Sequence, residues 1–148
     1  MTEDEVRSLN AAIRTIGMRH RALASAALAR IGLAVGQETV IMELARRGPR
    51  SQAQLAVAAG CEPPTMTAAV RRMEANGIIR REPSAEDRRA VVVNLTDQGR
   101  GVAEQLSSVW RDIAEETTAG LARTEVSDLI DALGDLAQSL KGRSVPVE

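Results

Sequence analysis

A mainly α-helical fold with one small β-hairpin is the class that this 148-residue sequence predicts, and three observations predict it. Apolar residues recur at three- and four-residue steps through most of the chain, which is the helical period. Residues 78–95 alone break that rhythm, with two short β-branched runs around a charged turn. Aromatic residues make up 1% of the chain, with Trp110 present and no Phe or Tyr, so the core is Leu, Ile, Val, Ala and Met. Such a core suits helices that meet along narrow seams. Hydrophobic residues at 44% and charged residues at 26% are ordinary for soluble globular protein, and the length suits a single domain spanning 1–148.

The elements follow in order. From about Glu5 to Ala29, Val6, Leu9, Ile13, Ile16, His20, Leu23 and Ala27 form a heptad-type seam. Gly32 and Gly36 break it. Gln37 to Arg46 is a short second helix with Val40, Ile41 and Leu44 inward, ended by Gly48-Pro49. Ser51-Gln-Ala-Gln54 fits a capping box and opens a third helix, with Leu55 and Val57 inward and a stop at Gly60. Pro63 and Pro64 set the start of a fourth helix, since the first turn lacks intrahelical partners for its N–H groups, and Asn76-Gly77 ends it. Ile78 to Glu82 and Arg88 to Leu95 are strand candidates, with a turn at 83–87. Thr96 caps a long helix with Val102, Leu106, Val109, Trp110 and Ile113 on one stripe. Thr124 caps a last helix carrying Val126, Leu129, Ile130, Leu133, Leu136 and Leu140.

The fourth helix carries the first functional signal. Met66, Ala69, Val70 and Met73 share one face. The other offers Pro64, Thr67, Ala68, Arg71 and Ala75, flanked by Thr65 and Arg72. Short side chains near the N-terminus with arginines a turn or two later suit a helix that enters a major groove. The short Gly-Cys-Glu connection from the third helix gives helix-turn-helix spacing. A solvated amphipathic helix would look similar.

The hairpin "RREPSAEDRRAVVVNLT" decides between them. It puts Arg80 and Arg81 on one strand and Arg88 and Arg89 near the tip, which reads as a wing whose arginines reach a minor groove. Asp87 is expected to orient the wing arginine by accepting hydrogen bonds. Net charge is only −1, but residues 46–100 hold ten arginines against six acids, a net of +4. The flanks carry nine basic and fourteen acidic residues, a net of −5. A basic middle between acidic ends fits a DNA-reading lobe on a separate scaffold.

The segments "GQETVIMELARRGPRSQAQLA", "PPTMTAAVRRMEANGIIRRE" and "EDRRAVVVNLTDQGR" together resemble the MarR family of winged helix-turn-helix transcriptional regulators. The Asp-Arg-Arg wing followed by valines and Leu-Thr-x-x-Gly-Arg is the most family-specific part. The resemblance implies a winged core at about 36–100 and dimerisation helices at about 5–30 and 96–141. It implies a cytoplasmic homodimer on a pseudo-palindromic operator, with repression the commoner role in the family. The implied DNA contacts are Thr65, Thr67, Ala68, Arg71, Arg72, Arg88 and Arg89. Ala68 stands where family members commonly carry arginine, and Pro64 replaces a more usual small polar residue and removes an N–H. The resemblance also implies a small phenolic or carboxylate effector, with Arg14, His20, Arg21 and Trp110 as the residues expected to hold it. From its place on the apolar seam, His20 reads as a core histidine before an effector ligand.

Other classes find little support. One histidine, one cysteine and no Gly-rich phosphate loop leave no catalytic constellation, so neither enzyme activity, metal nor cofactor is expected. Cys61 reads as a small hydrophobe before a redox switch. The acidic start lacks a secretory pattern, and the Leu23–Gly36 run, cut by Arg30, is too short to span a membrane. The alternative to DNA binding is a winged-helix module that binds proteins without reading DNA.

Overall fold

The computed structural model describes residues 1–141, so the single-domain reading of 1–148 runs past the described residues at 142–148. The order is α1 (Glu3–Arg30), α2 (Gln37–Arg47), α3 (Gln52–Ala59), α4 (Pro63–Ala75), β1 (Ile79–Pro83), β2 (Val91–Leu95), α5 (Asp97–Thr118) and α6 (Val126–Leu140). The strands pair antiparallel with Ile79 opposite Leu95 and Pro83 opposite Val91. The chain divides into two compact units, residues 1–113 and those from 114 onward. The fold is the expected one, mainly helical with a two-stranded hairpin.

In the first unit one buried cluster joins every element. Leu28 and Leu33 come from the end of α1 and the following turn, and Val40, Ile41 and Leu44 from α2. Leu55 and Ala56 of α3 meet Met66, Val70 and Met73 of α4, while Ile78, Ile79, Val93, Leu95 and Leu106 close the other side. The expected inward faces of α2 and α4 are therefore in place. On α3 the expectation for Val57 fails: it is 84% exposed, and Ala56 is buried instead. At roughly 100° per residue, Val57 lies about 200° from Leu55, on the far side of the helix.

Helix ends obey their local chemistry. Ser51 and Gln54 form the capping box, with the Ser51 Oγ accepting from the Gln54 N–H. Thr2 and Glu5 form a second one at the start of α1, from the same x-x spacing, which sequence reading passed over. Gly60 ends α3 at φ 62°, a left-handed position that suits glycine. The last helix begins one residue later than expected: Glu125, extended at φ −67° and ψ 147°, is the N-cap in place of Thr124, and no side chain caps it. The first strand is shifted by one residue and the second is shorter, so Pro83 lies in β1 while Arg88 and Arg89 lie in the turn. A third strand is reduced to one residue. Arg50 donates its N–H to the Val93 carbonyl at 3.0 Å and accepts from the Val93 N–H at 2.7 Å.

The seams of the long helices are bare. On α1, Val6, Leu9, Ile13 and Ile16 are all exposed, and only Ala24 and Leu28 are buried. On α6, Val126, Ile130, Leu133, Leu136 and Leu140 are exposed, and no residue is buried. Among the described residues no helix is long and apolar enough to cross a membrane.

The start of α5 is held by close contact. The Thr96 Oγ1 accepts from the Gly99 N–H at 3.0 Å and donates to the Gly77 carbonyl at 2.5 Å, and the Thr96 N–H donates to the Ile78 carbonyl at 3.1 Å. A Cβ on Gly99 would fall 2.0 Å from that Ile78 oxygen, which is backbone and cannot swing aside. Gly101, one residue further along the same helix, has open space around it. Gly99→Ala is expected to lower unfolding free energy by about 3 kcal/mol, at the upper end for overpacking. Gly101→Ala is expected to raise it by about 0.5–1 kcal/mol through helix propensity. Urea midpoints of the two variants check the pair, and equal midpoints would contradict the packing described.

Candidate nucleic-acid interface

Two segments of the first unit carry the sequence-predicted contacts. On α4, Met66, Val70 and Met73 are buried, so Thr65, Ala68, Arg71 and Arg72 are left exposed on the opposite side. Thr67 is only half-exposed, because α3 lies against it: the Gln52 Nε2 donates to the Thr67 Oγ1 at 3.4 Å. Pro63 and Pro64 occupy the first two helical positions and the N-cap Glu62 makes no side-chain capping bond. The α4 N-terminus therefore lacks two of the N–H groups by which a helix start holds an anion.

The wing carries Asp87, Arg88 and Arg89, all exposed, in the turn between β1 and β2. Asp87 acts on the backbone: its Oδ1 accepts from the Arg89 N–H at 3.0 Å. The expected contact between Asp87 and an arginine side chain is not what holds it. The short carboxylate closes a local turn with the amide two residues on, and so fixes where the Arg89 Cα sits.

The ten arginines of residues 46–100 sort into two groups by their partners. Arg46, Arg47 and Arg50 converge on Glu43 at 3.3–3.6 Å, and Arg81 sits 3.7 Å from Glu74. Arg80 sits 2.9 Å from Glu82, and Arg100 sits 3.8 Å from Asp97. Arg71, Arg72, Arg88 and Arg89 have no ion pair among the described residues. The unpaired cations are thus those of α4 and the wing tip. Sequence reading had no access to this sorting, because Glu43 gathers Arg50 from beyond the Gly48-Pro49 break.

The acid of the wing is also accounted for. Glu82 accepts from the Arg80 Nε at 2.9 Å and from the Asn94 Nδ2 at 3.0 Å. These bonds, Arg80 first and Asn94 second, hold its carboxyl below the usual range.

The residues expected to hold an effector are only partly brought together. The His20 and Trp110 rings stack with centroids 6.3 Å apart and planes 13° from parallel, linking α1 to α5. The Trp110 Nε1 is buried without a hydrogen-bond partner. Arg14 and Arg21 are exposed on α1. A cavity of about 560 Å³ opens elsewhere, between the start of α2 and α4, lined by Gln37, Thr39, Cys61, Met66, Ala68 and Arg72 among others. Its small residues gave a signal only in hindsight, since alanines on a helix read equally well as close packing. Among the described residues no group of His, Cys, Asp and Glu has the makings of a metal site.

The model of the MarR family matches residues 34–91, from before α2 to the first residue of β2. Over that stretch the lobe is similar to the MarR family, and its helices and hairpin have the winged helix-turn-helix fold. Solved structures agree over almost the full chain. A MarR-like transcription regulator from Bacillus cereus aligns with TM-score 0.75 and 26% identity, over 93% of this chain and 99% of that one. A mutant MarR from E. coli, complexed with operator DNA, aligns with TM-score 0.74 and 22% identity, over 90% and 96%. BpsR from Bordetella bronchiseptica, whose DNA binding is regulated by 6-hydroxynicotinic acid, aligns with TM-score 0.72 and 23% identity, over 88% and 98%.

The Glu82 network makes this hairpin sensitive to acid. A depressed folded-state value means its stabilisation is present above the unfolded carboxylate range and is lost as pH falls through the lowered value. Acidification is expected to lower the thermal midpoint less in Glu82→Gln than in the parent. The effect is small, because surface pairs contribute little. An acid-side slope identical in both proteins would show that the network contributes nothing.

Proposed function

We propose that the chain is a sequence-specific DNA-binding transcriptional regulator that acts as a homodimer on a pseudo-palindromic operator. The sorting of the arginines carries this reading. Six cations of the lobe are paired with four nearby acids, and the four left unpaired among the described residues belong to α4 and the wing tip, the parts that winged helices present to DNA. In this reading α4 enters the major groove through Thr65, Thr67, Ala68, Arg71 and Arg72. Arg88 and Arg89 reach the flanking minor groove, with Asp87 fixing the turn. The operator-bound MarR of E. coli, similar in fold, supports the same arrangement.

The bare seams support the dimer. On a lone chain α1 and α6 each leave five large apolar residues in water, and burying them against a second copy is favourable by about 25 cal/mol per Å². On this reading residues 1–148 form a single MarR-type domain, with dimerisation helices at about 5–30 and 96–141. Two α4 helices then meet successive major grooves about 34–36 Å apart. The role is that of a repressor in the cytoplasm, without catalytic activity. Release by a small phenolic or carboxylate effector is part of the proposal, and the likeness in fold to BpsR, regulated by 6-hydroxynicotinic acid, supports it. The stacked His20 and Trp110, with the free Trp110 N–H, are the aromatic surface for it, and Arg14 and Arg21 the cations.

A protein-binding winged helix without DNA affinity is the competing reading, and salt separates the two. Binding to duplex DNA is expected to fall steeply as salt rises, because phosphate contacts release counterions. A flat or absent response would favour the protein-binding module. Arg89→Ala is expected to weaken operator binding about tenfold and to reduce the salt slope, while sedimentation still reports a dimer. Wild-type affinity in that variant would remove the wing from the interface, and a compact monomer at micromolar concentration would remove the dimer.

A further inference from the structure

The hydroxyl of Thr67 is already spent inside the protein. Its one hydrogen goes to the Pro63 carbonyl, at 3.0 Å, a bond back along the helix. One of its two oxygen lone pairs accepts from the Gln52 Nε2, at 3.4 Å, which ties α3 to α4. What Thr67 retains for an outside partner is one lone pair and its γ-methyl, which the staggered geometry at Cβ sets about 120° away from the oxygen. Its neighbour Ala68 is exposed and has only a methyl to offer.

From this we infer that the centre of α4 reads thymine by its C5-methyl group, through apolar contact with the Thr67 γ-methyl and the Ala68 β-methyl, with no hydrogen bond donated by Thr67. This rests on the DNA-binding reading above and names what that same helix recognises. The chemistry matches. In the major groove the thymine methyl is the one apolar feature among donors and acceptors, and alanine and the threonine methyl are the side-chain groups that complement it. Guanine and cytosine offer nothing that two methyl groups can satisfy. The arginines that would choose guanine, Arg71 and Arg72, lie further along the helix.

The probe is a duplex enriched by the full-length protein from a random library, compared with the same duplex carrying deoxyuridine in place of thymine in each half-site. Deoxyuridine keeps every hydrogen-bonding group and lacks only the methyl. The inference expects at least one position where the replacement weakens wild-type binding about fourfold, the transfer value of one buried methyl. Thr67→Val, which keeps a methyl and discards the hydroxyl, is expected to retain that discrimination. Thr67→Ser, which keeps the hydroxyl and discards the methyl, is expected to reduce it, with both variants first checked for native circular dichroism. If wild-type protein binds tightly and no thymine-to-uracil change matters, methyl reading is wrong. It is equally wrong if Thr67→Ser discriminates like the parent while Thr67→Val does not. If no duplex is enriched at all, the DNA-binding reading itself fails, which is a distinct result.

Discussion

The carbonyl of Ile78 is the point on which the rest of the lobe turns. It lies just past the end of α4, accepts the Thr96 N–H, and leaves no room for a side chain on Gly99 of α5. The Thr96 hydroxyl binds the Gly77 carbonyl on one side and the Gly99 amide on the other. Three elements therefore share one junction: the end of α4, the base of the β1–β2 hairpin and the first turn of α5. Ile78, Ile79 and Leu95 are buried around it, so the polar bonds sit in a setting where breaking one leaves an unsatisfied group. The Leu-Thr-x-x-Gly-Arg pattern acquires a physical content here. Leu95 fills the core, Thr96 caps and clasps, and Gly99 permits the approach. The angle between α4 and the hairpin is set from behind, by backbone contacts that do not reach the exposed residues of either.

Electrostatics are arranged on top of that frame. A lobe with ten arginines and few acids would repel itself, and its charges would attract any polyanion without preference. Glu43, a largely buried carboxylate, draws in three of them from α2 and the residue after the Gly48-Pro49 break. Glu74 and Glu82 engage Arg81 and Arg80 along β1. Each such pair adds little stability where it is exposed. Its larger consequence is spatial. The ion pairs lie along α2, β1 and the start of α5, so a chain of net charge −1 can still present unpaired cations on α4 and the wing tip. At physiological salt, where screening acts over about 8 Å, local arrangement matters more than net charge.

Sequence alone made much of this frame legible. Helical periodicity located α1, α2, α4 and α5, because apolar stripes at 3.6-residue spacing leave few alternatives. Prolines, glycines and the Ser51–Gln54 spacing located the ends, because those residues have narrow conformational uses. The α3 interior was misread at Val57 because an eight-residue helix rich in alanine has almost no periodicity to read. The Arg50–Val93 bridge was invisible, since one paired residue has no pattern. At the candidate site, residue types and order were legible and partners were not. Whether an arginine is paired depends on which carboxylate folding brings near it, and what the Thr67 hydroxyl has left to offer depends on the Pro63 carbonyl and on Gln52, fifteen residues away. Asp87 shows the same limit: its position in the wing was right, and its bond went to an amide in place of a guanidinium.

The start of α4 is subject to both the backbone frame and the charge arrangement. A helix N-terminus ordinarily attracts phosphate through its free N–H groups and dipole. Here Pro63 and Pro64 remove two of those donors, and the exposed Glu62 places an acid at the N-cap. Gripping the backbone at this end is therefore poor, and on the proposed reading the phosphate affinity falls to Arg71, Arg72 and the wing. In exchange the first turn is rigid. Proline fixes φ at both positions, and Thr67 is then bonded back to the Pro63 carbonyl and sideways to Gln52. A rigid start that carries short side chains and few donors is badly suited to hydrogen-bonded base reading. It is well suited to lying close against methyl groups, where contact at van der Waals distance is the whole of the interaction and small displacements forfeit it.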